Sequence, residues 1–411
     1  MIVSLQARVV FPVDRPPIER GVVTIDGKRI VAVGTMAEGD ETVDLGNVAL
    51  LPGLVNTHTH LEFSYLRKPL GKPGMPLVDW IRLVIGERGR ANRSTIDSFQ
   101  HGVRESLECG VTTIGDIVTS VPGGLSGCDV TAFAEIIGYS RVRADSAFNH
   151  LTDQLDCLMQ AANESAGIEP AQSQIGISPH APYTVSPSLL KRVIRLAFER
   201  GLPVAMHVAE SPDELELLGS ASGPFRDLLE ERSMWDAESI PRGSRPLDYL
   251  RMISDAPRVL AIHGNYLDDE ELAFLGARRD RMSLVYCPRT HAYFEHPPYP
   301  LDRALAAGVR VALGTDSRAS NPDLSLLEEM RHVAKSHPQV DPAHILSMGT
   351  LSGAEALGRS GEVGSITVGK RANLVAVPVR DNERAKPEEI LQAILADDVA
   401  PSSVYLAGRR L

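Results

Sequence analysis

The stretch LLPGLVNTHTHLEFS, residues 50–64, decides the fold. Together with Val48 and Ala49, its apolar half predicts one buried strand over residues 48–55, and His58 and His60 follow at the C-terminal end of that strand. Side chains two positions apart on an extended backbone point to the same side, so both imidazoles can reach one metal ion. Because an isolated His-x-His pair also occurs in polar loops without a function, its meaning depends on the rest of the chain.

The composition is that of an ordinary globular protein. The chain has 411 residues, of which 43% are hydrophobic and 23% charged, and this is enough for a large core. A net charge of -11 and the lack of any Lys/Arg-rich run argue against a broad nucleic-acid surface. The sequence contains neither a secretory signal nor a run of about 20 apolar residues that could span a membrane. We therefore expect a cytoplasmic protein whose partner is a small molecule rather than nucleic acid or membrane. The four cysteines contain no Cys-x-x-Cys pair, so neither a disulfide framework nor a zinc ribbon is implied.

The middle of the chain alternates short apolar runs with longer amphipathic stretches, which is the pattern of repeated βα units around a parallel sheet. Helices are predicted at residues 188–200, 268–277 and 324–336, and residues 211–258 read as an elaborated region over the barrel mouth. The fold class is therefore α/β, a (β/α)8 TIM barrel, in which functional residues lie at the C-terminal ends of the strands. The eight candidate strands are predicted to end near Val55, Val118, Gly138, Ser178, Met206, Ile262, Tyr286 and Leu313.

Both ends of the chain have a sequence pattern that differs from that of the middle. Residues 1–47 and 357–411 contain short alternating strands with glycine turns, among them an Asp26-Gly27 pair that suits a tight hairpin. We expect the two ends to form one small β-sandwich domain beside the barrel domain, residues 48–356.

Polar residues follow several of the predicted strands. The fourth strand is followed by His180, the fifth by His207 and Glu210, the sixth by His263 and the eighth by Asp316. Any one of these histidines could simply be buried and bonded to backbone. The whole set, together with the His-x-His pair, predicts one site at the carboxyl end of the barrel, where three neutral nitrogens and one carboxylate would suit Zn²⁺ or Fe²⁺.

Several segments resemble those of a known family. The chain is similar to the amidohydrolase superfamily, and specifically to its metal-dependent deaminases of aminated purine and related rings, in GLVNTHTHLE, HVAE, HGN and GTDSRASN. Within that superfamily HTHLEFS, HAPYT and CPRTHAYF are most similar to aminodeoxyfutalosine deaminases of the menaquinone pathway. The next most similar groups are the S-adenosylhomocysteine/methylthioadenosine deaminases and the chlorohydrolase-like proteins.

The resemblance implies a set of metal ligands, namely His58, His60, His207 and Asp316. Binuclear relatives use a bridging carboxylated lysine after the fourth strand. The corresponding segment here, QIGISPHAPYTV, contains no lysine. We therefore expect one divalent metal ion, with zinc ahead of iron.

The chemistry of zinc deaminases assigns roles to the same residues. A bound divalent ion activates water for attack on the amine-bearing ring carbon. The adjacent ring nitrogen then needs an acid that is not a metal ligand, and Glu210, three residues after His207, fits this role. Asp316 and His263 are expected to accept or steer the proton of that water. The resemblance implies that His180 reaches the ring or the tetrahedral oxygen and that Asp316 returns a proton to the departing ammonia. Alternatively, Glu210 is an ordinary carboxylate that stabilises a helix N-terminus.

Residues that bind the rest of the substrate are harder to identify. The candidates are His180, Glu62, Arg141, Arg289 and Ser320, all of which follow predicted strands. Arg141 or Arg143 would suit the carboxylate that futalosine-type molecules carry, because a guanidinium binds a carboxylate through two hydrogen bonds. Exposed arginines are more often solvated charges without a ligand.

Other functions stay open. The substrate could instead be S-adenosylhomocysteine, methylthioadenosine, guanine or a pterin, and hydrolases of cyclic amides or chlorinated rings share the architecture. His291 in CPRTHAYF differs from the Ser-Asn that many deaminase relatives have there, so substrate preference does not transfer directly. A non-catalytic scaffold is a further alternative, and the retention of all four expected ligands argues against it. A homodimer is expected by analogy alone.

Overall fold

The structure, a computed structural model, describes residues 2–90, 94–121, 125, 127–165, 173–380 and 384–411. Its strands lie in three sheets, and the helices lie mostly between the strands of the largest sheet. In chain order the strands are β1 (Ile2–Gln6), β2 (Val9–Val10), β3 (Ile18–Glu19), β4 (Val22–Asp26), β5 (Arg29–Gly34), β6 (Glu41–Asp44), β7 (Val48–Pro52), β8 (Leu54–Thr59), β9 (Val111–Val118), β10 (Asp129–Ile136), β11 (Ser173–Pro179), β12 (Val204–Val208), β13 (Val259–His263), β14 (Met282–Tyr286), β15 (Val311–Leu313), β16 (Leu374–Pro378), β17 (Ser403–Leu406) and β18 (Arg409–Arg410).

The helices are amphipathic, and their buried faces pack on the sheets. Ser186 and Ser325 accept a backbone hydrogen bond at the N-termini of the fourth and eleventh helices, which explains why those helices begin there. In chain order the helices are α1 (Leu77–Arg90), α2 (Thr95–Glu108), α3 (Arg141–Ser165), α4 (Pro187–Arg200), α5 (Pro212–Ser220), α6 (Pro224–Glu231), α7 (Pro246–Ile253), α8 (Asp269–Gly276), α9 (Pro288–Tyr293), α10 (Leu301–Ala306), α11 (Leu326–Ser336), α12 (Pro342–Met348), α13 (Leu351–Ala356) and α14 (Pro387–Ala396).

Strands β8 to β15 form one parallel sheet in chain order. The sheet closes because Thr59, at the end of β8, forms a parallel bridge with Asp316, and the Asp316 N–H donates to the His58 carbonyl at 3.0 Å. Strands β8, β9, β12, β13 and β14 are buried along their whole length, which explains why apolar residues predominate in β12, β13 and β14. The predicted (β/α)8 barrel is confirmed. The predicted strand ends at Val118, Tyr286 and Leu313 are also the observed ones.

The two ends of the chain form the remaining sheets. A four-stranded sheet has the order β5-β4-β1-β6, and a six-stranded sheet has the order β18-β17-β16-β7-β2-β3. One apolar cluster joins them, with Leu5 and Ile25 from the first sheet and Leu50 and Leu374 from the second. The predicted sandwich built from both termini is therefore present, and β4 and β5 form its expected hairpin, with Gly27 at a φ of 56°.

The strand predicted over residues 48–55 is wrong as one element, because it is two strands in different sheets. β7 pairs with β2 and β16 in the terminal domain, and β8 opens the barrel. The side chains of β7 alternate between two cores, Leu50 in the sandwich and Leu51 against the barrel, so the strand is apolar at every position. Gly53 separates the strands, where a Cβ would lie 2.2 Å from the Thr112 hydroxyl. We propose that the boundary between the two domains lies at Gly53 rather than after residue 47.

Candidate metal centre and active site

Four histidines and one aspartate meet at the carboxyl end of the barrel. The ring of His58 lies 4.9 Å from that of His60, 5.0 Å from His207 and 5.8 Å from His263, between ring centroids. One carboxylate oxygen of Asp316 lies 3.6 Å from Nε2 of His58 and 3.8 Å from Nε2 of His60. Two groups, His58 with His60 and His207, and His58 with His263 and Asp316, each have ligand atoms within 4.8 Å of one another. The structure therefore brings together all the residues predicted to bind metal.

The backbone is unusual at two of these positions. His263 has a φ of 67° and Asp316 a φ of 55°, in the left-handed region that few residues other than glycine adopt. Both residues sit where a barrel strand turns into its loop, so the turn directs the side chain toward the barrel axis. Backbone strain of this kind is typical of functional sites.

Burial lowers the pKa of three histidines of the cluster, His60, His207 and His263, and so favours their neutral form. Burial, helped by His58 and His180, holds the pKa of His207 well below its ordinary value, and burial does the same to the pKa of His263. Nδ1 of His207 lies 2.8 Å from the carbonyl oxygen of His180. Since a carbonyl can only accept, Nδ1 carries the proton, and Nε2 is left with the lone pair that a metal requires.

The pKa values of the two carboxylates at the site are shifted in opposite directions. Burial alone would raise the pKa of Asp316, but His58, His263 and His60 outweigh it and hold that pKa below its usual range. Burial raises the pKa of Glu210 well above its usual value, and the charges of Asp316 and Glu214 add to this. These shifts favour the ionised form of Asp316 and the protonated form of Glu210.

Hydrogen bonds around Glu210 involve residues that were not predicted from the sequence. Both N–H groups of the turn, Ala209 and Glu210, donate to the Glu214 carboxylate at 2.8 and 2.9 Å. The Asn265 amide donates to the Glu210 carbonyl at 2.9 Å, and the Tyr183 hydroxyl lies 3.4 Å from the Glu210 carboxyl. The spacing Ser-x-x-Glu from residue 211, typical of a helix N-terminus, was the available signal for Glu214.

A chamber of about 270 Å³ opens onto this cluster. His180 lines it, and burial, with nearby Arg88 and His58, lowers the pKa of His180 to about 3. Trp80 also lines it, and its indole N–H donates to the Ala319 carbonyl at 3.1 Å. Much of the remaining wall comes from α1 and α6, and α6 lies in the predicted elaborated region over the barrel mouth.

The predicted substrate-binding residues divide into two groups. Ser320 is buried beside the cluster, where its hydroxyl lies 3.2 Å from the Asp316 carboxylate. Glu62 stands next to the chamber and accepts a hydrogen bond from Arg88 at 2.5 Å, and Arg88 itself lines the chamber. Arg88 was not predicted, because a position within a helix gives no signal of which face of that helix meets the site.

Arg141 and Arg289 do not line the chamber, so the prediction that they contact substrate is not supported. Arg141 is exposed, and its guanidinium pairs with Asp236 and Glu238. Arg289 is tied to Asp323 at 2.5 Å and to Glu329 at 2.7 Å on the far side of the seventh strand end. In both cases the guanidinium already has carboxylate partners that are distant in sequence.

Neutral buried imidazoles and an ionised aspartate at the carboxyl end of a (β/α)8 barrel define a hydrolase of the metal-dependent barrel type. The family model described as Amidohydrolase family matches residues 49–411, and the chain belongs to this family. The family depends on a bound metal and includes deaminases.

Similar proteins agree with this assignment. The chain is 29% identical over 400 residues to a 5-methylthioadenosine/S-adenosylhomocysteine deaminase of Moorella thermoacetica, with 93% of this chain and 86% of the relative covered. It is 31% identical over 410 residues to the Desulforudis audaxviator deaminase of the same name, with 95% and 85% covered.

Solved structures give a similar picture. Helicobacter pylori aminofutalosine deaminase in complex with methylthio-coformycin superposes with a TM-score of 0.83 at 25% identity, over 99% of both chains. A Xanthomonas campestris adenosine deaminase with bound zinc superposes with a TM-score of 0.78 at 25% identity, over 99% of this chain and 92% of that one.

In the part of the chain that the structure describes, no helix combines the length and apolar character needed to cross a bilayer.

Proposed function

We propose that the chain is a hydrolytic deaminase that releases ammonia from an adenosine derivative, with 6-amino-6-deoxyfutalosine of menaquinone biosynthesis as the favoured substrate. The observation that carries the proposal is the position of Glu210, whose pKa burial raises, 3.4 Å from Nε2 of His263 and beside the cluster of histidines and Asp316. Hydrolytic removal of an amine from an aromatic ring requires an acid for the ring nitrogen close to an activated water. The likeness to aminofutalosine deaminase and to methylthioadenosine/S-adenosylhomocysteine deaminases supports this reaction class.

The clustered residues fit one divalent metal ion. His58 is fully buried, yet among the described residues neither of its ring nitrogens has a hydrogen-bond partner, which leaves a lone pair for a ligand. The residues that would hold the ion are His58, His60, His207 and Asp316, and Zn²⁺ is favoured over Fe²⁺ for this donor set. When bound, such an ion lowers the pKa of water from about 16 toward about 7 and so supplies a nucleophile at neutral pH.

The side chains around the cluster divide the proton transfers. Glu210 holds the proton that the ring nitrogen needs, and Glu214 fixes the turn that carries Glu210. Nε2 of His263 lies 3.4 Å from the Glu210 carboxyl, close enough to exchange that proton after small adjustment. Asp316, ionised, accepts a proton from water and returns it to the departing amine. His180, neutral at the chamber wall, orients the ring.

Deamination of methylthioadenosine or S-adenosylhomocysteine is the second candidate, because the curated relatives carry that name. Hydrolysis of a cyclic amide is less well supported, since the segment at residues 174–185, which corresponds to the one that carries the bridging lysine in binuclear relatives, has no lysine.

A panel assay tests the proposal. The protein is chelated and reconstituted with Zn²⁺ or Fe²⁺, and ammonia release is measured with 6-amino-6-deoxyfutalosine, methylthioadenosine, S-adenosylhomocysteine, guanine and a pterin. We expect the highest kcat/KM with 6-amino-6-deoxyfutalosine. Ammonia release from none of them, or faster hydrolysis of a cyclic amide or a chlorinated ring, would contradict the proposal.

A further inference from the structure

The chamber has two unlike parts. One part is the polar cluster with Glu210 and Asp316, and the other is an apolar slot between α1 and α6. The slot is lined by side chains one helical turn apart on each helix, so each helix presents an apolar stripe to it. These side chains are Trp80, Ile81 and Val84 from α1 and Phe225, Leu228 and Leu229 from α6.

The charges that line the chamber are distributed unequally. The only carboxylates among the described lining residues are Glu210 and Asp316, and both belong to the polar cluster. The slot itself has two arginines. Arg88 is already paired with Glu62 at 2.5 Å and lies over the ring of Phe63. Among the described residues that line the slot, none therefore supplies a carboxylate that could bind an ammonium group.

Arg232 differs from Arg88 in that its guanidinium is not paired with a carboxylate of the described residues. It follows α6 directly, one turn after Leu228, and it lines the chamber while remaining exposed. Within the part of the chain that the structure describes, its guanidinium forms no hydrogen bond or ion pair. An unpaired guanidinium at the end of an apolar slot is suited to a carboxylate, to which it can donate two parallel hydrogen bonds.

We propose that this slot selects a substrate whose ribose substituent is an apolar or aryl group ending in a carboxylate, and that Arg232 is the specificity-determining residue that binds this carboxylate. The inference rests on the proposed deaminase function and narrows its substrate class. A methylthio group would fill the slot but leave Arg232 without a partner. An amino-acid substituent, as in S-adenosylhomocysteine, could also offer a carboxylate to Arg232, but it would bring an ammonium group against Trp80 and Leu228, where this group would lose water without gaining a carboxylate partner.

Binding measurements test the slot independently of turnover. The metal-loaded Glu210→Gln variant is titrated by calorimetry with 6-amino-6-deoxyfutalosine, methylthioadenosine and S-adenosylhomocysteine. We expect the aryl carboxylate to bind at least about tenfold more tightly than S-adenosylhomocysteine, the scale of one charge-assisted contact. Adding Arg232→Ala should weaken the aryl carboxylate about tenfold and methylthioadenosine less than about twofold, and Arg232→Lys should restore part of the loss.

A matched control is Arg242→Ala, which removes another exposed arginine from the same loop region, outside the chamber. It should change none of the affinities. A purely structural role for Arg232 would lower the unfolding midpoint and weaken all three ligands equally, and that result would overturn the assignment. Tighter binding of S-adenosylhomocysteine than of the aryl carboxylate would overturn it as well.

Ammonia release by the wild-type enzyme separates this inference from the proposed function. If methylthioadenosine is deaminated but the aryl carboxylate neither binds nor reacts better, the deaminase stands and the slot assignment fails. If no ligand releases ammonia although the aryl carboxylate binds preferentially through Arg232, the slot assignment stands and the deaminase fails.

Discussion

Both ends of the barrel bury ionisable side chains, and they differ in whether these side chains have partners within the protein. At the amino end, Asp129 is fully buried and faces the guanidinium groups of Arg371 at 3.5 Å and Arg359 at 3.8 Å, and the Asn373 amide donates to it at 3.1 Å. At the carboxyl end, His58 is equally buried, and among the described residues its ring nitrogens have no hydrogen-bond partner.

The difference separates structure from function. A buried polar atom without a partner costs about 1–3 kcal/mol, so several such atoms that face one another indicate a place for a ligand. The partners of the Asp129 carboxylate, namely Arg359, Arg371 and Asn373, all come from the C-terminal segment at residues 357–411, so this carboxylate is compensated without a ligand. The ring nitrogens of His58 have no such protein partner among the described residues, and a metal ion would supply one.

Removing a ligand residue should have the largest effect. We expect His58→Ala to lose the metal and to lower ammonia release more than about 10³-fold, the scale of several kcal/mol of metal assistance. Metal content by elemental analysis and steady-state kinetics measure both effects. His337→Ala, which removes a buried histidine outside the chamber, is the control and should retain the metal. A fully active His58→Ala enzyme would break the distinction between the two ends.

Glu210→Gln should have the next largest effect. We expect it to keep the metal but to lower kcat about 10²-fold or more, because the amide cannot donate the proton that burial keeps on Glu210. Glu216→Gln, on the exposed face of the same region, should leave kcat unchanged. A near-wild-type rate in Glu210→Gln would remove Glu210 from the mechanism.

Asp129→Asn tests the opposite end. Loss of the carboxylate removes a buried negative charge that lies 3.5 Å from Arg371 and 3.8 Å from Arg359, so we expect the free energy of unfolding to fall by about 3 kcal/mol. Chemical denaturation measures this change, and kcat at 25 °C should stay unchanged. Asp145→Asn, at an exposed ion pair, should leave stability unchanged. An unaltered stability with a lower kcat in Asp129→Asn would show that the two ends are not separate in function.

Histidines outside both clusters should make a smaller, pH-dependent contribution. Burial lowers the pKa of His291 to about 3 and that of His296 to about 4. Between about pH 6.5 and pH 4 the unfolded chain therefore binds more protons than the folded one, so stability falls as the pH falls through this range. At equal metal loading, His291→Asn should flatten the slope of unfolding free energy against pH. An unchanged slope would contradict the assigned pKa.

The sequence contained most of the site because its residues lie directly after barrel strands, where geometry converges without knowledge of distant contacts. His58, His207 and Asp316 are examples. The sequence alone does not show which residues distant along the chain are in contact in the folded protein. Arg141 and Arg289 lie outside the chamber, and the carboxylates that pair with them are at least 34 residues away, so no sequence pattern indicates these ion pairs. Arg88 was missed because the face of α1 that meets the chamber depends on packing.

The most direct test of the central claim is metal dependence measured by titration. Chelated protein receives Zn²⁺ in fractional equivalents, and ammonia release is followed with 6-amino-6-deoxyfutalosine. The account predicts no activity without metal, and activity that rises linearly and stops at one equivalent per chain. Full activity in the chelated protein, or a rise that continues to two equivalents, would contradict it.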